Sequence, residues 1–427
     1  MYISSKFYRF KIYKGDDVMS MEEYLKRYAK LAVCTGINLQ KNQTLVVNAP
    51  IEAASFVRNI AEVAYDCGAK NVKVRWNDEK LALIKYLKAP FETFKEFSPW
   101  EAKELEELAK EDAAFLSISA SDPEIFKNVD PNRIQEAIKA SSIALKAYRE
   151  RLMSSANSWC VISIPTEGWA KKVFPNLSKE DAIERLWENI FSIVRVDKEN
   201  PLEAWNEHLD NLNKKIEFLN NSHFKSLHYV SSKTDLLVEL PEKHLWCGGG
   251  EFNEKKVYFV ANMPTEEVFT LPTRNGVNGK VASTKPLNYG GNLIDNFVLT
   301  FKDGKVVDFT AETGYDSLKK LIETDEGSHY LGEVALVPYN SPISNSNIIF
   351  YNTLFDENAS CHFALGEAYP TCVKGSENMN EDDLKEAGAN VSFTHVDFMV
   401  GSKDLDITGE TYEGKKIQIF KNGNWAF

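Results

Sequence analysis

Thr44-Leu-Val-Val-Asn48 and Asn71-Val-Lys-Val-Arg-Trp76, with a helical stretch at 51–66 between them, decide the fold of the first half of this chain. Both runs are rich in β-branched and apolar residues and read as strands, while the segment between them reads as a helix that stops before Cys67-Gly68. The alternation continues outward, with helices expected at 22–37, 99–111, 133–154 and 179–194 and strands at 113–118 and 158–164. Such succession predicts a parallel sheet covered on both faces. The turn Asn48-Ala-Pro50 lacks the glycine fingerprint of a dinucleotide site, which argues against nucleotide binding. The expected role of this half is to frame substrate or to support a dimer.

Around Pro201 the pattern changes. A polar helix at 202–220 leads into short strands at 227–231 and 235–239 and then Gly248-Gly-Gly250, which lacks the Lys-Ser or Lys-Thr of a phosphate loop and reads as a turn. Lys302-Asp-Gly-Lys305 and Lys421-Asn-Gly-Asn424 are hairpin signals. The fold class expected is therefore α/β: an N-terminal parallel-sheet α/β domain at 21–205, and a C-terminal mixed α+β, largely antiparallel, metal-bearing domain at 206–427. Residues 1–20 read as a disordered extension or a misassigned start, since 1–18 carry basic and aromatic residues without the apolar core of a signal peptide.

Composition excludes several classes. At 427 residues the chain is too long for one ordinary core. A net charge of −12 argues against nucleic-acid or anionic-membrane partners and fits a cytoplasmic enzyme. Six cysteines without close metal-binding pairs read as reduced thiols. Cys361 beside His362 is a poor nucleophile candidate, because neighbours on a helix point about 100° apart.

Chemistry concentrates at 355–397. In Val391-Ser-Phe-Thr-His-Val-Asp-Phe-Met-Val400, His395 and Asp397 project from one face of a strand among large apolar groups. A buried charge there needs compensation, either by a divalent cation or by a His-Asp hydrogen bond at the sheet rim. His362 is expected on a short helix capped by Asn358 or Ser360, with Tyr369 two turns on facing the same way; a structural histidine and tyrosine are the plain alternatives. Trp169, in Pro165-Thr-Glu-Gly-Trp-Ala-Lys-Lys172, reads as core packing rather than as a wall of a substrate cavity.

Pro264-Thr-Glu-Glu-Val-Phe-Thr270, Gly332-Glu-Val-Ala-Leu-Val-Pro338, Asp356-Glu-Asn-Ala-Ser-Cys-His-Phe-Ala-Leu-Gly-Glu-Ala-Tyr369 and His395-Val-Asp-Phe-Met-Val-Gly401, in this order and spacing, carry a family signature. The combination resembles the thermophilic aminopeptidase family of metallopeptidases, which includes aminopeptidases T, S and II. The resemblance runs from about Met21 along nearly the whole chain and takes in Pro165-Thr-Glu-Gly-Trp-Ala170 and Thr284-Lys-Pro-Leu287. It implies a dinuclear metal site made by Glu267, Glu333, His362, His395 and Asp397, with Tyr369 beside it.

Mixed carboxylate and imidazole donors suit two divalent ions of zinc, cobalt or manganese, with magnesium possible. Two such ions about 3.5–4 Å apart can activate a bridging water and polarise a scissile carbonyl. Glu266, beside Glu267, is the candidate general base, against the alternative that successive residues face opposite sides and leave it a supporting or surface carboxylate. Tyr369 is a candidate weak ligand or oxyanion donor. Glu367 and Asp356 are candidates for recognising a free amino terminus, with capping or solvated roles as the alternative. The resemblance implies release of N-terminal residues from short peptides by a homodimer. Other readings are a dinuclear metal hydrolase of another amide or ester, or a non-catalytic peptide-binding protein of the same fold.

Overall fold

The computed structural model describes residues 19–290 and 292–427, so the reading of 1–18 falls outside the described residues. The first half holds the expected parallel sheet, in the order Asn71–Asn77, Thr44–Pro50, Ala114–Ser119, Trp159–Ser163. Leu45, Val46 and Val47 are all buried, as a strand covered on both faces requires. Helices Met21–Leu31, Ala54–Asp66 and Lys179–Ile193 turn buried stripes toward it.

Two local expectations change. The segment expected as one helix at 133–154 is Pro131–Ala144 followed by Lys146–Met153, interrupted at Leu145. A helix that the alternation did not suggest runs Glu79–Lys88, with the Asp78 carboxylate accepting from the Lys80 and Leu81 amides at its start. It buries none of its residues, and its Leu81, Ile84 and Leu87 stay exposed, so no amphipathic stripe marks it in the sequence.

Helix Pro201–Ser222 leads into the second half, whose two larger sheets are antiparallel. Both predicted hairpins form: Asn292–Lys302 pairs with Lys305–Thr313, and Lys416–Lys421 with Asn424–Trp425. Asp303 and Gly304, like Asn422 and Gly423, have positive φ, the condition of the tight turn that matches strand twist. The smaller sheet runs His395–Met399, His362–Gly366, Leu331–Leu336, Val268–Thr270, Cys247–Gly248.

His362 is therefore on a strand, not on the expected helix. Helical structure does form just before it, as Thr353–Asp356 and the 3-10 turn Glu357–Ala359, capped by Asn352. It ends at Ser360, where φ −163° is extended. Pairing of 362–366 with strands on both sides overrides the local helical signal.

The second half also reaches back into the first. Val260, Met263, Ile343, Phe350, Phe355 and Ala359 belong to the apolar core around the parallel sheet. Trp169 is fully buried in that core, stacks obliquely on Phe355 and donates its indole N–H to the Phe350 carbonyl at 2.5 Å, so its core reading holds. Burying a large side chain stabilises by about 1.5–3 kcal/mol, which helps fix 350–359 against the first half.

Candidate active site

Strand register assembles the site. Ala364 stands directly opposite both Glu333 and Asp397, so these three share one face of the sheet. His362 and His395 lie two residues from Ala364 and Asp397 on their own strands and share that face. Val268 pairs with Leu336, which by alternation brings Glu267 to the same side and sends Glu266 to the other. Between Glu333 and Asp397 the face carries only a methyl group, leaving room above it.

The side chains converge accordingly. His362 Nε2 is 3.1 Å from Glu267 Oε2 and 3.4 Å from Glu333 Oε1. His395 Nε2 is 3.5 Å from Glu333 Oε2 and 3.3 Å from Asp397 Oδ1. Glu267, Glu333 and His362 form one group, and Glu333, His395 and Asp397 a second, with ligand atoms within 4.8 Å of one another in each. Glu333 belongs to both and gives one oxygen to each. The other ring nitrogens face backbone acceptors: His395 Nδ1 donates to the Glu367 carbonyl at 2.7 Å, and His362 Nδ1 lies 3.3 Å from the Ser360 carbonyl. That arrangement turns both Nε2 atoms toward the acids, as metal-binding histidines require.

The electrostatics of the bare protein are unfavourable. Burial, and then Asp397 and Glu267, push the Glu357 carboxyl well above the ordinary range. Burial likewise raises Glu333, against the pull of the histidines. Desolvation lowers both imidazoles, but the acids outweigh it: Glu267 and Glu333 raise His362, and Asp397 with Glu333 raise His395 to about 10. Asp397 Oδ1 is buried without a hydrogen-bond partner, since its approach to His395 lacks hydrogen-bond geometry. Two like charges at 4 Å repel by about 4 kcal/mol near a protein surface, and cations relieve this. The donor set therefore fits divalent metal.

A cavity of about 690 Å³ opens over these residues, and the first half supplies part of its wall through Ser119, Asp122, Phe126 and Trp159. Tyr369 lines it, packed edge-on to the His395 ring at 5.0 Å. Burial, and then the neighbouring acids, raise the Tyr369 phenol well above its usual value, so it remains an O–H donor. Glu357 also lines the cavity and is 8% exposed, with only a 3.4 Å contact from the Asn358 amide. In the sequence it is one more acid within Asp356-Glu-Asn-Ala-Ser-Cys-His362, with no role assigned to it.

Other candidates lie elsewhere. Glu266 is not at the cavity wall; its Oε1 takes a 2.7 Å ion pair from Arg195 and its amide donates to Asn358 Oδ1. Alternation explains this, and the ion pair matches the supporting role that was the stated alternative for Glu266. Asp356 accepts from the Phe350 and Asn352 amides, a capping role, and Glu367 accepts from the Ser392 amide. Neither lines the cavity. Cys361 is buried and directed to the Val337 carbonyl.

A parallel-sheet frame joined to an antiparallel sheet that carries two sharing acid-histidine groups defines a metal-dependent hydrolase. Residues 21–425 match the family described as thermophilic metalloprotease (M29), and the chain belongs to that metallopeptidase family. It is 55% identical to aminopeptidase AmpS of Bacillus subtilis (strain 168), over 96% of this chain and 100% of that one. It is 53% identical to aminopeptidase 2 of Geobacillus stearothermophilus, over 95% and 98%. The solved structure of wild-type AmpT from Thermus thermophilus, 38% identical, superposes with a TM-score of 0.89 over 96% of this chain and 100% of that chain. The expected family, fold class and peptidase activity are thus established.

Proposed function

We propose that this metallopeptidase is an aminopeptidase working with two divalent ions, one held by Glu267, Glu333 and His362 and the other by Glu333, His395 and Asp397. The observation that carries the reading is the division of Glu333 between the two groups, one oxygen to each histidine. When bound, such ions supply an activated water and polarise the scissile carbonyl. Zinc, cobalt or manganese match the mixed nitrogen and oxygen donors, and magnesium matches them less well.

The protein's own groups do the rest. Glu357 faces acids of both groups and, among the described residues, forms no ion pair with a lysine or arginine, so it is placed to take a proton from the attacking water and pass it to the leaving amine. Tyr369 donates its hydroxyl to the developing oxyanion. Among the described lining residues there is no lysine or arginine to bind a peptide's carboxyl end, whereas the acids Asp122 and Glu251 stand on the same wall to meet a free ammonium. This favours short peptides with a free N-terminus as substrates.

We place the catalytic residues in a unit at 206–427 framed by 21–205, acting as a cytoplasmic homodimer. Six free thiols support a reducing compartment. Among the described residues no helix is long and apolar enough to cross a membrane.

Hydrolysis of leucyl and arginyl p-nitroanilides by chelated protein, before and after adding zinc, cobalt, manganese or magnesium, tests the reading. N-acetylated substrates and His395→Ala serve as controls. Activity restored by metal, lost in the variant and abolished by acetylation is expected. Equal hydrolysis of acetylated substrates would instead select another amide or ester, and absence of bound metal would select a non-catalytic peptide binder.

A further inference from the structure

Cys34 and Cys67, neither of which lines the cavity, bring their Sγ atoms to 3.7 Å. Both thiols are free and half-buried. Cys34 lies in the π-helical turn Ala32–Gly36 that ends the first helix, and Cys67 caps the end of Ala54–Asp66. The backbone on each side is pinned: Val260 donates to the Gly36 carbonyl at 2.7 Å, and Asn42 donates to the Gly68 carbonyl at 2.8 Å. Two chain segments 33 residues apart thus hold their thiols against one another by the packing of the fold.

We propose that Cys34 and Cys67 are a redox modification site that closes to a disulfide when it meets a low-molecular-weight disulfide oxidant. An S–S bond is about 2.05 Å, so the sulfurs must approach by about 1.7 Å for the bond to close. One thiolate attacks the oxidant, forming a mixed disulfide and releasing a first small thiol that takes up the proton. The second cysteine attacks the protein-bound sulfur, forms the Cys34–Cys67 bond and releases the second small thiol. Two protein thiols are oxidised and one small disulfide is reduced, so atoms and electrons balance.

Cys247 and Cys372 are also close enough to hydrogen-bond, but Cys372 is fully buried and out of an oxidant's reach. Burial and the adjacent thiol push Cys34 up to about 11, which slows the attack without preventing it. The closed bond ties together the ends of two helices that cover the parallel sheet. Gly36 within the same turn is packed so closely that a Cβ there would lie 2.9 Å from Cys160 Sγ and 3.5 Å from Met263 Sδ. The clamp therefore bears on the segment that leads to Glu267.

The full-length protein is equilibrated in graded mixtures of reduced and oxidised glutathione, quenched and alkylated, and its thiols are counted after denaturation. The expected result is a fall from the six thiols of the sequence by two. A proteolytic map should join the Cys34 and Cys67 peptides, and the thermal midpoint should rise by a few degrees. Cys34→Ser and Cys67→Ser should each lose both the cross-link and the thermal gain. Persistence of all thiols, capture of glutathione without a cross-link, or a cross-link joining Cys247 to Cys372 alone would each overturn the proposal.

Discussion

Glu266 and Arg195 form a 2.7 Å ion pair, buried on the side of the chain away from Glu267. His208 completes the arrangement: its Nε2 donates to the Thr265 carbonyl at 2.7 Å, and its Nδ1 lies 3.1 Å from Arg195 Nη2. Desolvation lowers the His208 pKa, which keeps it neutral and able to accept from Arg195. The group anchors the segment that delivers Glu267. Removing one partner of a buried ion pair costs about 3–5 kcal/mol, because the other charge is stranded. Glu266→Gln should lower the thermal midpoint while metal content stays unchanged, and Arg195→Met combined with it should recover part of the loss. A drop of two orders of magnitude in kcat at unchanged stability would return Glu266 to the role of base.

Glu357→Gln should do the reverse. The amide keeps the shape of the carboxylate but takes no proton, so kcat should fall by about two to four orders of magnitude. Metal content by elemental analysis should match the wild type, since Glu357 belongs to neither ligand group. Loss of bound metal alongside activity would make Glu357 a ligand instead.

The contrast between these two acids shows how far the sequence could be read. Period-two alternation correctly put His395 with Asp397 on one face, and the same rule was the stated alternative for Glu266. The parallel sheet was legible because Leu45 to Val47 are buried on both faces and write a continuous apolar run. Glu357 was not legible as a cavity acid, since its position comes from a 3-10 turn whose direction is set by long-range packing of 350–359 on Trp169. His362 misled for a related reason: the helical signal was real but ended at Ser360. The contribution of Ser119 and Trp159 to the cavity depends on how the two halves meet, which no local pattern encodes.

Asp356 offers a pH signature separate from the ligands. Burial raises its pKa from 3.8 to about 6, although the Phe350 and Asn352 amides pull the other way. A carboxyl raised on folding contributes stability that is fully present below its unfolded value and is lost as pH rises through the folded value. Two units correspond to about 3 kcal/mol. The thermal midpoint of the wild type should therefore fall, relative to Asp356→Asn, between about pH 4 and pH 6.5 and run parallel to it above. A constant difference across that range would show that Asp356 keeps an ordinary pKa.

Ala364 tests the register argument directly. It lies opposite Glu333 on one strand and Asp397 on another, so its methyl group forms the floor between the two ligand groups. Ala364→Leu adds three carbons on that face, where they would occupy the space the ions need. Overpacking of this kind costs about 1–3 kcal/mol, which a folded domain of this size tolerates. The expected variant is folded, with its far-ultraviolet circular dichroism unchanged and its thermal midpoint moderately lowered, yet it retains less than one metal ion per chain after dialysis against zinc. If it binds as much zinc as the wild type, Ala364 faces away from the ions and the shared face deduced for Glu333 and Asp397 is wrong.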